Sequence, residues 1–506
     1  MDDEPSNKRA RFSGALQLTD LNDYLKPEQA CIKPVKLDTS EGKKVKSILV
    51  DNETGQYIQE NVDGSKKELE KTQITLADCL ACSGCVTSAE SVLVNQQSLE
   101  EFERYFETKS DEEKVFVLSI APQSRASIAA FFQTDITTAL KKLTSFFKTN
   151  YNARYVLDTN WSRHFSHLEI IQEFMDKYKN NKLPLLASAC PGFVCYAEKS
   201  HGEDVLPLIS TSKSPMQVMG SVVKSYLSKQ MNVKPSNIYH ASIMMCFDKK
   251  LEASRDDFLW DPNDVNAHEV DIVLTSSEVV ELLQKKGVKN PTDFQNIPSE
   301  VIDETFSELE HLGNGVVPTN GPFLQSTGSG GYAEVVFRYA SKHLFGITLP
   351  EELKYKTGRN SDLKELILSD PNDPSKILLR FAVANGFRNI QNIIRKLKPN
   401  ARAGYHFVEV MACPSGCLNG GGQTTPAENT ATGRRDYLKT VSDLYFSNDK
   451  NKSSDGSDYD VAHSKVKKLY EEWIGGDVYS EQAKKLLHTR YHAREKLAIN
   501  PLAIKW

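Results

Sequence analysis

Two cysteines in a glycine-rich stretch are the residues of this chain best suited to chemistry. Cys413 and Cys417 lie four positions apart, and three consecutive glycines, Gly420–Gly422, follow them. Glycine is unfavourable inside helices and strands, so the stretch predicts a tight loop that approaches a bulky group closely. Thiolates on such a loop are suited to holding an inorganic centre. The alternative is a packing loop with two small buried residues, because an unligated cysteine behaves as a small hydrophobe.

A second set of cysteines, nearer the N-terminus, has the spacing Cys-x-x-Cys-x-x-Cys. The three are Cys79, Cys82 and Cys85. Iron–sulfur sites use such runs together with a distant fourth thiolate, whereas zinc sites usually use two separated Cys-x-x-Cys pairs. Because the second pair is missing here, the spacing favours a 4Fe–4S cluster over zinc. Cys31, the upstream cysteine, is the predicted fourth ligand, and a free buried thiol is the alternative.

The remaining cysteines mostly follow predicted strands. The predicted strands and the cysteines that follow them are 183–187 with Cys190, 239–245 with Cys246, and 405–411 with Cys413 and Cys417. In open α/β sheets, binding sites lie beyond the carboxyl ends of the strands. We therefore expect these four cysteines to form a second four-thiolate site. Cys195 is not assigned to either set. We expect it to be a core residue, and a thiol near the site is the alternative.

The region around these cysteines alternates predicted strands and helices. This order predicts an α/β fold with a mostly parallel sheet covered by helices. The other predicted strands are 115–121, 155–158 and 270–274. The predicted helices are 124–132, 166–178, 216–230, 279–285, 466–473 and 482–496. A glycine-rich loop is predicted over 314–332, and the polar stretch 446–458 is predicted to be a flexible connector.

Composition and charge exclude several classes of function. The chain has 506 residues, of which 39% are hydrophobic and 25% charged, as is ordinary for a soluble globular protein. The net charge of −5 gives no basic field for nucleic acid or an anionic membrane. No apolar run reaches the roughly 18 residues that span a bilayer, and the acidic start lacks a secretory signal. We expect a protein of the cytoplasm, with the nucleus as a further compartment, whose clustered cysteines are ligands rather than disulfides.

Three cysteine-bearing motifs resemble the active-site motifs of iron-only hydrogenases. They are Ser188-Ala-Cys-Pro-Gly192, Met244-Met-Cys-Phe-Asp-Lys249 and the stretch from Glu409 to Gln423. The resemblance runs from about residue 114 to residue 443, and residues 485–492 are similar to the hydrogenase small-subunit tail. With the N-terminal cysteines, the whole chain resembles the eukaryotic hydrogenase-like factors of cytosolic iron–sulfur protein assembly. That family includes the prelamin-A recognition factor-like proteins.

The resemblance implies a fold and a set of cofactors. The fold would be an α/β, iron-only hydrogenase-like body of two lobes with mostly parallel sheets, plus a small N-terminal iron–sulfur segment. Two 4Fe–4S clusters are implied. Their ligands would be Cys31, Cys79, Cys82 and Cys85 for one cluster, and Cys190, Cys246, Cys413 and Cys417 for the other. The implied divisions are an N-terminal segment 1–110, a two-lobed domain 111–445, a linker 446–462 and a helical tail 463–506.

Lys249 is a candidate cofactor-binding residue. In hydrogenases the cysteine at the position that matches Cys417 also bridges to a diiron subsite. The lysine at the position that matches Lys249 contacts a cyanide of that subsite. The alternative role of Lys249 is to offset charge, because four thiolates around a cubane leave a net anion that needs donors nearby.

Three departures from the hydrogenase pattern argue against hydrogen turnover. Ala189 stands where hydrogenases carry a second cysteine that shuttles protons. A methyl group cannot donate a proton, and losing a positioned general acid typically costs on the order of 10²–10⁴ in rate. Met245 replaces a proline, and Glu169-Ile170 stands where hydrogenases show paired glutamates. We therefore expect no enzyme activity and no catalytic residue.

The expected function is that of a component of the cytosolic iron–sulfur protein assembly machinery, which helps to deliver clusters to cytosolic and nuclear apoproteins. The alternatives are an iron-only hydrogenase or related redox enzyme, and a lamina-associated interaction protein with structural clusters. The implied partners are a targeting complex with a WD40-propeller scaffold, cluster-donor scaffold proteins and apo iron–sulfur client proteins, but neither nucleic acid nor a membrane. Trp506 is a candidate anchor for the targeting complex, and its alternative role is packing onto its own C-terminal helices.

Overall fold

The computed structural model of the protein describes residues 45–50, 57–61, 66–69, 97–108, 114–264, 266–299, 328–350, 352–358, 360–397, 404–426, 430–447 and 466–493. The strands in these ranges are β1 (Val45–Val50), β2 (Tyr57–Asn61), β3 (Lys66–Leu69), β4 (Val115–Ile120), β5 (Tyr155–Asp158), β6 (Leu185–Ala187), β7 (Ile238–Met244), β8 (Ile272–Thr275), β9 (Lys356–Thr357), β10 (Leu363–Asp370), β11 (Asp373–Asn385) and β12 (Phe407–Met411).

The α-helices in the same ranges are α1 (Leu99–Glu107), α2 (Pro122–Phe131), α3 (Ile136–Tyr151), α4 (Thr159–Lys179), α5 (Pro191–Ser200), α6 (Gly202–Val205), α7 (Pro215–Ser221), α8 (Ser228–Gln230), α9 (Asp248–Ala253), α10 (Ser276–Lys285), α11 (Pro291–Asn296), α12 (Tyr332–Phe345), α13 (Phe387–Leu397), α14 (Ala431–Ser447) and α15 (Glu481–Leu487). A π-helical turn, Val222–Leu227, joins α7 to α8, and another covers Tyr470–Ile474. No helix among the described residues is long and apolar enough to cross a bilayer.

Contacts divide the chain into two compact units, residues 1–92 and 93–506. The described part of the first unit is an antiparallel sheet in the order β1-β2-β3. Several sequence-based predictions lie outside the described residues, namely those for Cys31, Cys79, Cys82, Cys85, Trp506, most of the glycine-rich loop and most of the connector.

The first sheet of the second unit is wholly parallel, with the strand order β5-β4-β7-β8. Every residue of β7 is buried, as is typical of a parallel strand covered on both faces. One face packs against α1, α3 and α10, and its core includes Phe102, Phe116 and Phe147. This sheet therefore carries Cys246, which follows β7, on a rigid and buried strand end.

The second sheet has the order β6-β12-β11-β10-β9. Its strands β6, β12 and β11 are parallel, whereas β10 and β9 are antiparallel to their neighbours. Phe381 and Phe407 stack on adjacent strands with ring centroids 5.1 Å apart, and Phe174 of α4 lies 5.2 Å from Phe381. The parallel half of this sheet holds the strands that lead to Cys190 and to Cys413.

The predicted α/β class with mostly parallel sheets is confirmed, and so are the predicted strands within the second unit. Helix α4 begins seven residues earlier than predicted, because Asp158 caps it by accepting the N–H of Asn160 at 2.8 Å. The helix predicted over 482–496 is wrong over residues 488–493, and residues 494–496 lie outside the described part of the chain. There the backbone is extended, since Lys213 and Thr489 donate hydrogen bonds to Leu487 and Thr211, both at 2.7 Å.

The C-terminal segment 466–493 lies against α4 and the segment that precedes α7. Glu169 of α4 is fully buried and accepts three hydrogen bonds from the C-terminal segment. The donors are the Tyr470 hydroxyl at 2.5 Å, the Tyr479 N–H at 3.1 Å and the His488 ring at 2.9 Å. A buried carboxylate needs such partners, so Glu169 anchors the C-terminal segment to the body.

Candidate metal centre

Four cysteines follow strand ends from both sheets of the second unit. Cys190 comes after β6, Cys246 after β7, and Cys413 and Cys417 after β12. Cys190 and Cys246 are buried, with exposed fractions of 7% and 9%, and the other two are partly exposed. The prediction that these cysteines lie on loops at the carboxyl ends of three strands is confirmed. Cys195, predicted to be a core residue, is partly exposed on α5.

Hydrogen bonds join the Cys190 loop to the Cys413 loop. The N–H of Ala412 points at the Cys190 sulfur, with the two atoms 3.4 Å apart. Ser188 donates its hydroxyl to the Val410 carbonyl at 2.7 Å and accepts the Cys190 N–H at 3.1 Å. The adjacent parallel strands β6 and β12 therefore place these two cysteine-bearing loops side by side.

Glycines let the third motif press against the ends of β7 and β8. A Cβ on Gly420 would lie 2.3 Å from the carbonyl oxygen of Met245, and one on Gly422 would lie 2.6 Å from Cγ2 of Thr275. Gly422 donates its N–H to the same Met245 carbonyl at 3.0 Å. The glycine run, predicted to permit a close approach, thus brings the Cys413 and Cys417 loop against the residue that precedes Cys246.

Cys417 is held by a loop that a buried carboxylate organises. Its N–H donates to the Ser329 hydroxyl at 2.9 Å, and its sulfur lies 3.8 Å from that of Met411. Glu409 of β12 is fully buried and caps the start of α12. Its carboxylate accepts the backbone N–H groups of Gly330 at 3.3 Å, Gly331 at 3.2 Å and Ala333 at 2.9 Å. Glu409 therefore fixes the loop from which Ser329 reaches Cys417.

Burial raises the pKa of all four thiols. The pKa of Cys190 rises to about 12, and those of Cys246 and Cys413 rise well above the usual value. Burial also raises the pKa of Cys417, although the charges of Lys249 and Arg163 act in the opposite direction. Without a metal the site holds neutral thiols, so metal binding there must release protons.

Two buried cations lie near Cys417, and each has protein partners. Lys249 donates to the Ser214 hydroxyl at 3.0 Å and to Glu252 at 2.6 Å. Arg163 donates to the Tyr445 hydroxyl at 3.3 Å. The ammonium group of Lys249 thus forms an ion pair with Glu252. Its positive charge also acts on the Cys417 sulfur and lowers the pKa of that thiol.

The donor set suits an iron–sulfur cluster. Among the described residues, no group of three or more His, Cys, Asp or Glu side chains is placed to hold a single metal ion. A cubane has a different requirement, since each of its four irons takes its own thiolate. The buried cysteines act electrostatically on one another. Backbone N–H groups point at Cys190 and Cys413, and two cations act on Cys417, as suits a four-thiolate cluster of net negative charge.

Several residues at this site were not found from the sequence. Ser188 and Ser329 contact Cys190 and Cys417 through their hydroxyl groups, and Glu409 acts through Ser329. A carboxylate inside the apolar strand 407–411 was a usable signal for Glu409, because a buried charge needs donors. Arg163 gave no signal, because a single arginine in an amphipathic helix is usually solvated.

Two family models match the chain. The model described as the C-terminal domain of the iron-only hydrogenase large subunit covers residues 114–421. The model described as the iron hydrogenase small subunit covers residues 462–494, which include the described C-terminal segment.

Curated relatives match almost the whole chain. The cytosolic Fe-S cluster assembly factor narfl of Xenopus tropicalis is 44% identical over 504 residues, covering 98% of this chain and 99% of the relative. The cytosolic iron-sulfur assembly component 3 of Bos taurus is 46% identical with the same coverage. A probable cytosolic Fe-S cluster assembly factor narfl of Dictyostelium discoideum is 41% identical.

Solved hydrogenases share the fold. An apo form of the FeFe-hydrogenase HydA1 from Chlamydomonas reinhardtii, as a variant, aligns with a TM-score of 0.62 and 24% identity. The alignment covers 79% of this chain and 99% of the hydrogenase. At this level of identity the likeness concerns the fold rather than the reaction.

Proposed function

The chain belongs to the family of iron-only hydrogenase-like cytosolic iron–sulfur cluster assembly factors, and on this premise we propose that it is a component of the cytosolic iron–sulfur protein assembly machinery. It would act there in delivering clusters to apoproteins of the cytosol and nucleus. The proposal is supported by the positions of Cys190, Cys246, Cys413 and Cys417 after strands of two sheets, and by the contacts that join their loops.

We further propose that these four cysteines hold a 4Fe–4S cluster. Thiolates from strand ends, N–H groups and nearby cations support this assignment. A second 4Fe–4S cluster is proposed at Cys31, Cys79, Cys82 and Cys85, on the basis of their spacing alone. The boundaries given above for the N-terminal segment, the two-lobed domain, the linker and the tail belong to the same proposal.

Hydrogen turnover is not part of the proposed function. Ala189 provides no proton-carrying group beside Cys190. Ile170 is buried and apolar, and its neighbour Glu169 is fully engaged by the C-terminal segment. Lys249 binds Glu252 and Ser214, which favours a role in positioning and charge compensation over contact with a diiron subsite. Hydrogen evolution from reduced viologen by the anaerobically purified protein would contradict this part.

The cluster content is the direct test. Anaerobically purified full-length protein should contain about eight irons and eight sulfides, because each cubane takes four of each. Replacing Cys79 and Cys82 by alanine should leave about four of each, and Mössbauer spectra should assign them to one cubane. A colourless protein that contains near-stoichiometric zinc would end the iron–sulfur proposal.

The proposed partners are the targeting complex with a WD40-propeller scaffold, cluster-donor scaffold proteins and apo iron–sulfur clients. Deleting Trp506 should weaken capture of the targeting complex by roughly 2 kcal/mol, because tryptophan is a frequent interface anchor. Iron content and the unfolding curve serve as controls in the same preparation. Equal capture by the truncated and full-length proteins would exclude this role, and a loss of stability would instead support packing of Trp506 on its own chain.

A further inference from the structure

A buried carboxyl group lies where three of the cysteine loops meet. Asp248 is two residues after Cys246, at the first position of α9, and only 6% of it is exposed. A Cβ on Gly192 would lie 2.8 Å from Oδ2 of Asp248 and 3.4 Å from Cβ of Ala412. Gly192 belongs to the Cys190 loop, and Ala412 precedes Cys413. The glycine at position 192 leaves room for the carboxyl group at this junction.

The Asp248 carboxyl group has no hydrogen-bond partner among the described residues. Within the part of the chain that the structure describes, no hydrogen bond or ion pair reaches its oxygens, although the charge of the adjacent Lys249 acts on the group. The adjacent Lys249 is turned to Ser214 and Glu252 instead. Burying a carboxyl group without a partner is costly, which indicates that this group is kept for a ligand.

The charge of Asp248 acts on three of the four cysteines, namely Cys190, Cys246 and Cys413. After burial, the charge of Asp248 is the next largest cause of the raised pKa of both Cys190 and Cys246, and it also acts on Cys413. The groups that act on Cys417 are different ones, namely Ser329, Lys249, Glu409 and Arg163. The close approach of Asp248 to Gly192 places the carboxyl group beside the Cys190 loop, whereas Cys417 is held by Ser329 and Met411.

We propose that Asp248 is a fifth iron ligand of this site, an oxygen donor that replaces the thiolate of Cys190 on one iron. The inference rests on the proposed 4Fe–4S cluster at the four cysteines. In the exchange, a carboxylate oxygen forms a bond to iron, the bond from iron to the cysteine sulfur breaks, and the released thiolate takes a proton from solvent. No electron moves. Carboxylate is a harder ligand than thiolate and suits iron–sulfur clusters less well, so the exchange loosens the cluster for release.

Paired variants of the full-length protein test the ligand role. Cys190→Ala should keep the iron content of the wild type, with one iron showing an oxygen-containing environment in Mössbauer spectra. Cys190→Ala combined with Asp248→Asn should lose at least about one iron per chain, because each iron of a cubane needs its own ligand. Cys417→Ala is the matched comparison: its iron loss should be the same with and without Asp248→Asn.

A second measurement uses Asp248→Asn alone, which keeps all four cysteines. Release of iron to an excess of chelator under anaerobic conditions should be about 10-fold slower than in the wild type, the lower end of the effect that residues around a metal site commonly have. Asp293→Asn is the control, because Asp293 also lies in the first turn of a short helix, α11, but is hydrogen-bonded to the N–H of Lys289. It should release iron at the wild-type rate.

The outcomes separate this inference from the proposed function. A wild-type protein without iron and sulfide would overturn both. A wild-type protein that holds its clusters, while Cys190→Ala loses iron whether or not Asp248 is present, would overturn the fifth ligand alone. Equal release rates in the wild type and Asp248→Asn would overturn it as well.

Discussion

One residue of the loop that carries Cys413 and Cys417 adopts an unfavourable backbone conformation. Ser415, between Cys413 and Cys417, has a φ of 60°, in the left-handed region that favours glycine. Its N–H donates to Oδ1 of Asp362 at 2.7 Å, which helps to hold that conformation. Ser415→Gly should therefore raise the free energy of unfolding by about 1 kcal/mol, because glycine adopts this region without a steric cost. Urea unfolding of the anaerobic protein measures the change.

Ser415→Ala distinguishes the steric cost of the left-handed backbone from the effect of losing the serine hydroxyl group. Alanine keeps a Cβ and should therefore keep the steric cost, so its unfolding free energy should match that of the wild type within about 0.5 kcal/mol. If the alanine variant were stabilised as much as the glycine variant, the gain would not come from the left-handed backbone.

Glu409 shows how a residue outside the ligand set controls the site. Replacing it by glutamine puts an amide donor among three N–H donors, and one of them must lose its acceptor. Glu409→Gln should lower the free energy of unfolding by about 1–3 kcal/mol, the cost of an unsatisfied buried group. Denaturant unfolding measures this, with Glu281→Gln as the control because Glu281 is largely exposed. Equal unfolding curves for Glu409→Gln and the wild type would exclude the capping role.

At the scale of elements, the glycine loop and the end of β7 form one contact surface. Gly420→Ala should separate them, because the added methyl group would meet the backbone carbonyl of Met245, which cannot move aside as a side chain can. The expected result is loss of about four irons and four sulfides per chain, the content of one cubane. Gly358→Ala is the control, since nothing lies within 4 Å of its Cβ position. Full iron content in Gly420→Ala would show that the loop can shift.

The elements that carry the cysteines were predictable because they are short, mostly apolar strands. Strand β7, for example, was predicted over 239–245 and runs from Ile238 to Met244. The hairpin of β10 and β11 was not predicted. The outer part of β11, residues 373–377, is exposed and mostly polar, and register shifts interrupt the pairing near Ser369, so no regular alternation marks these strands.

Sequence patterns could not predict how the strands divide between the two sheets. The strand order places β6 beside β12 and leaves β7 in the other sheet, and periodicity contains no information about which strands are neighbours. The four-cysteine set could be inferred from a general rule about strand ends. Asp248 and Glu409 could not be assigned their positions in that way, because their contacts are made across loops distant in sequence.

At the scale of the whole second unit, one extended segment connects the cysteine site with the C-terminal segment. Ile209 pairs with Leu186 of β6, and the N–H of Ser210 donates to the Leu186 carbonyl at 2.7 Å. Ser212 pairs with His488 on the other side. The same segment ends at Ser214, which contacts Lys249. The segment 209–214 therefore touches the strand that leads to Cys190, the motif that follows Cys246, and the C-terminal segment.

This connection predicts that loosening the C-terminal segment weakens iron binding at the proposed four-cysteine site. Glu169→Gln keeps the size of the side chain but removes the charge that binds Tyr470, Tyr479 and His488, at a cost of about 1–3 kcal/mol. Amide hydrogen exchange should then become faster at residues 487–489 and at their partners 211–213. Iron release to a chelator should also become faster, because Ser214 is less firmly held. Glu481→Gln is the control, since the Glu481 side chain is 82% exposed on the same C-terminal segment. Faster exchange in Glu169→Gln with unchanged iron release would show that the segment 209–214 holds the C-terminal segment without supporting the cysteine site.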